Sequence, residues 1–73
     1  MTEEQQKKQA FVKEYLERVV CAVGDISACT YLVENKEEYI EIEYFNGYKP
    51  RINVTADSIA ALVCDVFKYI KNH

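Results

Sequence analysis

Two alternating stretches meet at Asn46-Gly47, and the phase between them decides which face of a sheet this chain can bury. In EYIEIEYF, residues 38–45, Ile40, Ile42 and Tyr44 share one face, while Tyr39, Glu41 and Glu43 share the other. In YKPRINV, residues 48–54, Tyr48, Pro50, Ile52 and Val54 alternate with Lys49, Arg51 and Asn53. Such alternation marks strands with one buried face and one wet face. A two-residue Asn-Gly turn, the usual reading of that dipeptide, would pair Tyr44 with Lys49 and Ile42 with Arg51. Each apolar row would then meet a charged row, because a one-residue slip sends every side chain to the opposite face. A three-residue loop, Phe45-Asn46-Gly47, removes the conflict and puts Gly47 at the left-handed bulge position. Tyr44 then pairs with Tyr48, Ile42 with Pro50 and Ile40 with Ile52. On the wet face Glu43 meets Lys49 and Glu41 meets Arg51. Pro50 cannot donate to a ladder, so its strand is expected at an edge, or with that amide position turned outward.

The remaining elements fall around this hairpin. Thr2 and Gln5 form a capping box for a helix over residues 2–23, with Glu3 and Glu4 at its positive end. Val12, Leu16, Val19, Val20 and Val23 form its inner stripe, and Gly24 is expected to end it in the left-handed conformation. Residues 26–33, ISACTYLV, read as a strand and ENKE as a polar turn. An even-length turn sets Cys29, Tyr31 and Val33 with Ile40 and Ile42, and leaves Leu32 beside Tyr39 on the wet face. Strands at 38–44 and 48–54 follow. A second helix spans 55–71, with Thr55 as its N-cap, Asp57 in its first turn and an inner face of Ile59, Leu62, Val63, Val66, Phe67 and Ile70. The expectation is an α+β domain: a two-layer αβββα fold with a three-stranded antiparallel sheet and both helices on one face.

A chain of 73 residues, 49% hydrophobic and 29% charged, forms one globular domain with a small core that a partner subunit would support. The net charge of −3 argues against direct nucleic-acid binding. No apolar run is long enough to span a membrane, and MTEEQQKK resembles no targeting segment, so a cytoplasmic protein is expected. Cys21, Cys29 and Cys64 match no zinc spacing and are expected as buried thiols. With two glycines and His73 as the only histidine, there is no phosphate loop and no catalytic base beside a nucleophile. No enzyme activity, cofactor or metal is expected. The Glu41–Glu43 pair reads as a solvated face rather than an acid–base couple.

Two surface features invite a protein partner. Phe11, Tyr15 and Ala22 lie beside the first helix's stripe and widen its apolar arc. They either wrap beneath a loop or the second helix, or make a helix-to-helix dimer contact. Tyr39 and Phe45 are expected on the outer sheet face, rimmed by charge. Next to them, Glu34, Glu37, Glu38, Glu41 and Glu43 form an acidic run.

The stretch NVTADSIAALVCDVFKYI, preceded by IEIEYFNGYKPRI, resembles small uncharacterised proteins of phages and mobile elements in Gram-positive bacteria. The resemblance covers the C-terminal half and carries no catalytic residues. Some anti-CRISPR proteins are also small, acidic and αβββα in order. The leading expectation is a non-enzymatic, homodimeric interaction protein, built on the first helix or an open sheet edge. The alternative is an acidic, nucleic-acid-mimicking inhibitor acting through the five glutamates. A third reading, by analogy of plan, is a weak binder of double-stranded RNA. Against it, the second helix opens with TADS and the middle loop is ENKEE, both repelling phosphate.

Overall fold

The structure is a computed structural model that describes residues 1–72. The first helix is one continuous rod in three parts: α1 (Glu3–Phe11), a π-helical turn (Val12–Leu16) and α2 (Glu17–Val23). Its capping box forms as expected: the Gln5 amide donates to Thr2 Oγ1 at 3.1 Å, and the Thr2 amide donates to Gln5 Oε1 at 2.9 Å. Within the π turn the Glu17 amide donates to the Val12 carbonyl, five residues back. That wider turn explains which side chains are buried. Lys8, Val12, Leu16 and Val20 all face the core, at a strict four-residue spacing. In an uninterrupted α-helix a four-residue step drifts ~40° around the axis, so three steps would carry the row off the core. A π turn advances less per residue and cancels the drift. Val19 and Val23, expected on the inner stripe, are consequently turned out to solvent.

The sheet is antiparallel in the order β1-β2-β3, from Ile26–Glu34, Glu37–Tyr44 and Arg51–Asn53. The hairpin closes with the three-residue link. The Tyr44 amide donates to the Tyr48 carbonyl at 2.9 Å, the Ile42 amide to the Pro50 carbonyl at 3.0 Å, and Ile40 lies opposite Ile52. Gly47 has φ +92°, and its amide donates to the Tyr44 carbonyl at 3.0 Å. No atom would crowd a Cβ at Gly47, so Gly47→Ala should cost about 1–2 kcal/mol through left-handed backbone strain alone. Chemical denaturation measures it, and a synthetic chain with D-alanine there should lose nothing.

Strand β3 is shorter than the expected 48–54. Strand β3 lies at the sheet edge, as its proline led one to expect, but Pro50 turns its nitrogen toward β2, and a ladder donor is missing there. The other turn is even-length, as expected. Asn35 and Lys36 both take positive φ, 51° and 66°, as in a type I′ hairpin. Cys29 pairs with Ile42, Tyr31 with Ile40 and Leu32 with Tyr39. A bulge between Ile26 and Ala28 resets the phase, so that Ile26 is buried on the same face as Cys29 and Tyr31.

Two expected helix boundaries move. Gly24 is extended, with φ −157°, and leads straight into β1. The second helix, α3 (Ile59–Asn72), starts four residues later than position 55. Thr55 is not its N-cap, because its hydroxyl accepts from the Glu38 amide at 2.9 Å and Ala56 takes φ +65°. Ser58 takes the capping role, accepting from the Ala61 amide at 3.1 Å. Asp57 therefore sits before the helix, not in its first turn.

Both helices cover one sheet face. Val12, Leu16, Val20, Leu62 and Val66 meet Ile26, Cys29, Tyr31, Ile40, Ile42 and Val54 in one core. Of the expected inner face of α3, Leu62 and Val66 are fully buried, Val63, Phe67 and Ile70 are half-buried, and Ile59 is exposed. The helices run side by side in the same direction. One hollow joins Glu3, Glu4 and Lys7 to Ser58 and Ile59, and another joins Val23 to Ile70.

Candidate functional site

At the N-terminal end of the helix layer, the fold encloses a polar cluster. Glu38 has the phase of Ile40 and Ile42, so the strand aims it into the core. Lys8 Nζ donates to Glu38 Oε1 at 2.8 Å, and their side chains are 4% and 7% exposed. The Tyr31 hydroxyl donates to the same oxygen at 2.5 Å, and the Ala56 amide donates to Oε2 at 3.0 Å. Burial pushes the Glu38 carboxyl up. The bonds from Lys8, Tyr31 and Ala56 outweigh that and hold it below the ordinary glutamate value. Burial, then the bond to Glu38, pushes the Tyr31 phenol far above the usual range. This cluster ties α1, both long strands and the segment before α3 to one carboxylate. Lys8, Tyr31 and the Ala56 amide each direct a donor to it, which fixes the carboxylate in place.

Asp57 lies beside this cluster. Among the described residues no donor reaches its enclosed Oδ2. The neighbouring Asp65 carboxyl, then burial, raises its pKa above the ordinary value of 3.8, with Lys8 pulling the other way. A carboxyl that binds its proton more tightly when folded loses stability as pH rises through that raised pKa. Asp57→Asn should therefore stabilise the fold at neutral pH and flatten the fall above pH 3.8, read as denaturation midpoints across pH.

The structure divides the acidic run between the core and the wet face. Glu38 is buried, which removes it from any external contact and corrects its placement with the solvated glutamates. Arg51 Nη1 donates to Glu34 at 2.8 Å, and Arg51 Nε donates to Glu41 at 3.1 Å. Lys49 sits 3.8 Å from Glu43. Glu37 accepts from the Tyr39 hydroxyl at 2.6 Å and from the Asn53 amide group. Tyr39 lies on the wet face as expected, with Arg51 5.9 Å from its ring centre. Phe45 does not share that face. It lies in the hairpin loop, 75% exposed, beside Val23, Ile26, Tyr44 and Ile70.

The first helix exposes three large apolar side chains in one row. Tyr15, Val19 and Val23, one turn apart, are 60%, 49% and 58% exposed. Phe11 is half-buried against the core, with its ring 5.7 Å from that of Tyr15, and Ala22 is exposed between Val19 and Val23. Phe11, Tyr15 and Ala22 thus share one face, and Val19 and Val23, expected on the inner stripe, complete it. Glu14 and Arg18 flank the row and make no ion pair within the described residues.

The thiols divide by position. Cys29 is buried, and burial, then Glu17, pushes its pKa up to about 12. Cys21 is half-buried and Cys64 exposed, so the expectation of three buried thiols holds for Cys29 alone. Among the described residues no three His, Cys, Asp or Glu side chains converge as a metal site. No helix among them is long and apolar enough to cross a membrane. Compared with known protein families, curated proteins and solved structures, the chain matches none.

Proposed function

We propose that this chain is a non-enzymatic interaction protein that works as a homodimer, joined through the outer face of its first helix. The observation that carries the reading is the continuous row Tyr15, Val19 and Val23, exposed beside Phe11 and Ala22. A standard interface takes about 800 Å² from each partner, about one sixth of this chain's 4834 Å² surface. A row of large apolar side chains at helical spacing suits the centre of such a contact.

Charge selects a second copy as the occupant. If two first helices pack antiparallel about a two-fold axis near Glu17, Tyr15 meets the partner's Val19 and Phe11 meets the partner's Val23. On the flank the same axis sets Glu14 two residues, about 3 Å along the helix, from the level of the partner's Arg18, and Arg18 likewise from the partner's Glu14, an offset these long side chains span, so each unpaired charge gains an opposite one. The surface is thus complementary to itself, as an isologous contact requires.

A charge swap tests this. Glu14→Arg sets arginines against arginines and should weaken the dimer about tenfold, while adding Arg18→Glu should restore it. Light scattering over a concentration series reads both variants. A swap that rescues nothing would exclude this geometry.

A further inference from the structure

We propose that the free edge of β1 is a second self-contact, in which β1 pairs antiparallel with β1 of another copy about a two-fold axis at Leu32. It does not depend on the helix contact. Strand β1 is the longest strand and lies at the sheet edge. Its hydrogen-bonding groups can be assigned by alternation. The amides of Ile42 and Tyr44 point to the β3 side, so Tyr39, Glu41 and Glu43 bond to Leu32, Thr30 and Ala28. The amides and carbonyls of Cys29, Tyr31 and Val33 therefore point away from the sheet.

One of these amides is already taken. Glu17 Oε2 accepts from the Cys29 amide at 3.0 Å. Tyr31 and Val33 remain, on a run with no proline, no lysine and no bulge to protect it. Beside Cys29, Thr30 and Tyr31 opens a groove of ≈ 610 Å³ whose wall includes Gln6, Gln9 and Lys13.

The second copy is the occupant because the free groups match their own rotation. With the axis at Leu32, Tyr31 exchanges both of its backbone bonds with the partner's Val33, and Val33 does so with the partner's Tyr31. Four bonds form from the four free groups on each strand, and the Glu17–Cys29 bond stays in place. Leu32, half-buried on the wet face, lies directly across from its own copy, and the Thr30 hydroxyl lies across from the partner's Glu34 carboxylate. Shifting the axis to Tyr31 would force Cys29 to release Glu17. Because the helix contact is also isologous, the two together build tetramers or open chains.

Amide hydrogen exchange on the intact chain tests this residue by residue. From low to high micromolar protein, exchange at Tyr31 and Val33 should slow about tenfold or more. Leu32→Lys, which sets like charges together at the axis, should abolish the slowing, as should Val33→Pro, which deletes an outward amide and no bond within the chain. Light scattering of Tyr15→Glu should still show a dimer, joined by the edge alone. Tyr31 and Val33 amides that exchange freely at every concentration would overturn the proposal.

Discussion

Lys8→Ala should destabilise this domain by about 3 kcal/mol, the low end of the cost of removing one partner from a buried ion pair. The low end applies because the pair lies near the surface of a small domain. The loss comes from what stays behind: a carboxylate enclosed by Tyr31 and the Ala56 amide, without its cation. A domain of this size holds only about 4–11 kcal/mol in total, so the variant should keep about 1–8 kcal/mol and unfold at a clearly lower denaturant concentration. Replacing both partners, as in Lys8→Met with Glu38→Leu, should recover most of the loss, since apolar groups of similar volume substitute for buried pairs at little cost. Denaturant titration distinguishes the two. The pH dependence has a fixed sign. Glu38 is held below its ordinary value in the fold, so its contribution is present above the unfolded pKa and is lost as pH falls through the folded one. In the double variant that acid limb should vanish.

Tyr15→Glu combined with Val19→Glu should leave the fold intact and weaken the helix dimer about 100-fold or more. Both side chains are exposed in the single chain, so surface carboxylates there cost little stability. In the dimer the same positions lie at the centre of the contact, where unpaired charge is expensive to desolvate. Thermal midpoint and self-association should therefore separate. Measured where the wild type is monomeric, the midpoint should stay within a few degrees, while the dissociation constant moves by two orders of magnitude.

The hairpin register was legible because two rows of side chains had to agree at once, and only one loop length satisfied both. The buried glutamate was also legible. Glu38 shares the phase of Ile40, and alternation alone places it inward. Grouping it with Glu34, Glu37, Glu41 and Glu43 by nearness in sequence hid that. Lys8 was harder to find. It stands one four-residue step before Val12, a step that an α-helix would carry away from the core. Only the π turn keeps the row 8, 12, 16 and 20 aligned, and no residue pattern announces such a turn. The same turn expelled Val19 and Val23 from the expected inner stripe and thereby lengthened the apolar face. Thr55 misled for a different reason. Its hydroxyl is a good cap, but the Glu38 amide, distant in sequence, captures it first.

Sedimentation equilibrium of the Leu32→Lys chain, in which the sheet edge is closed to pairing, tests the helix-face dimer most directly. The expected result at high micromolar concentration is twice the 8.5 kDa chain mass, falling to one chain mass when Tyr15→Glu and Val19→Glu are added. A single chain mass at every concentration before those changes would contradict the account, as would a dimer that they leave untouched.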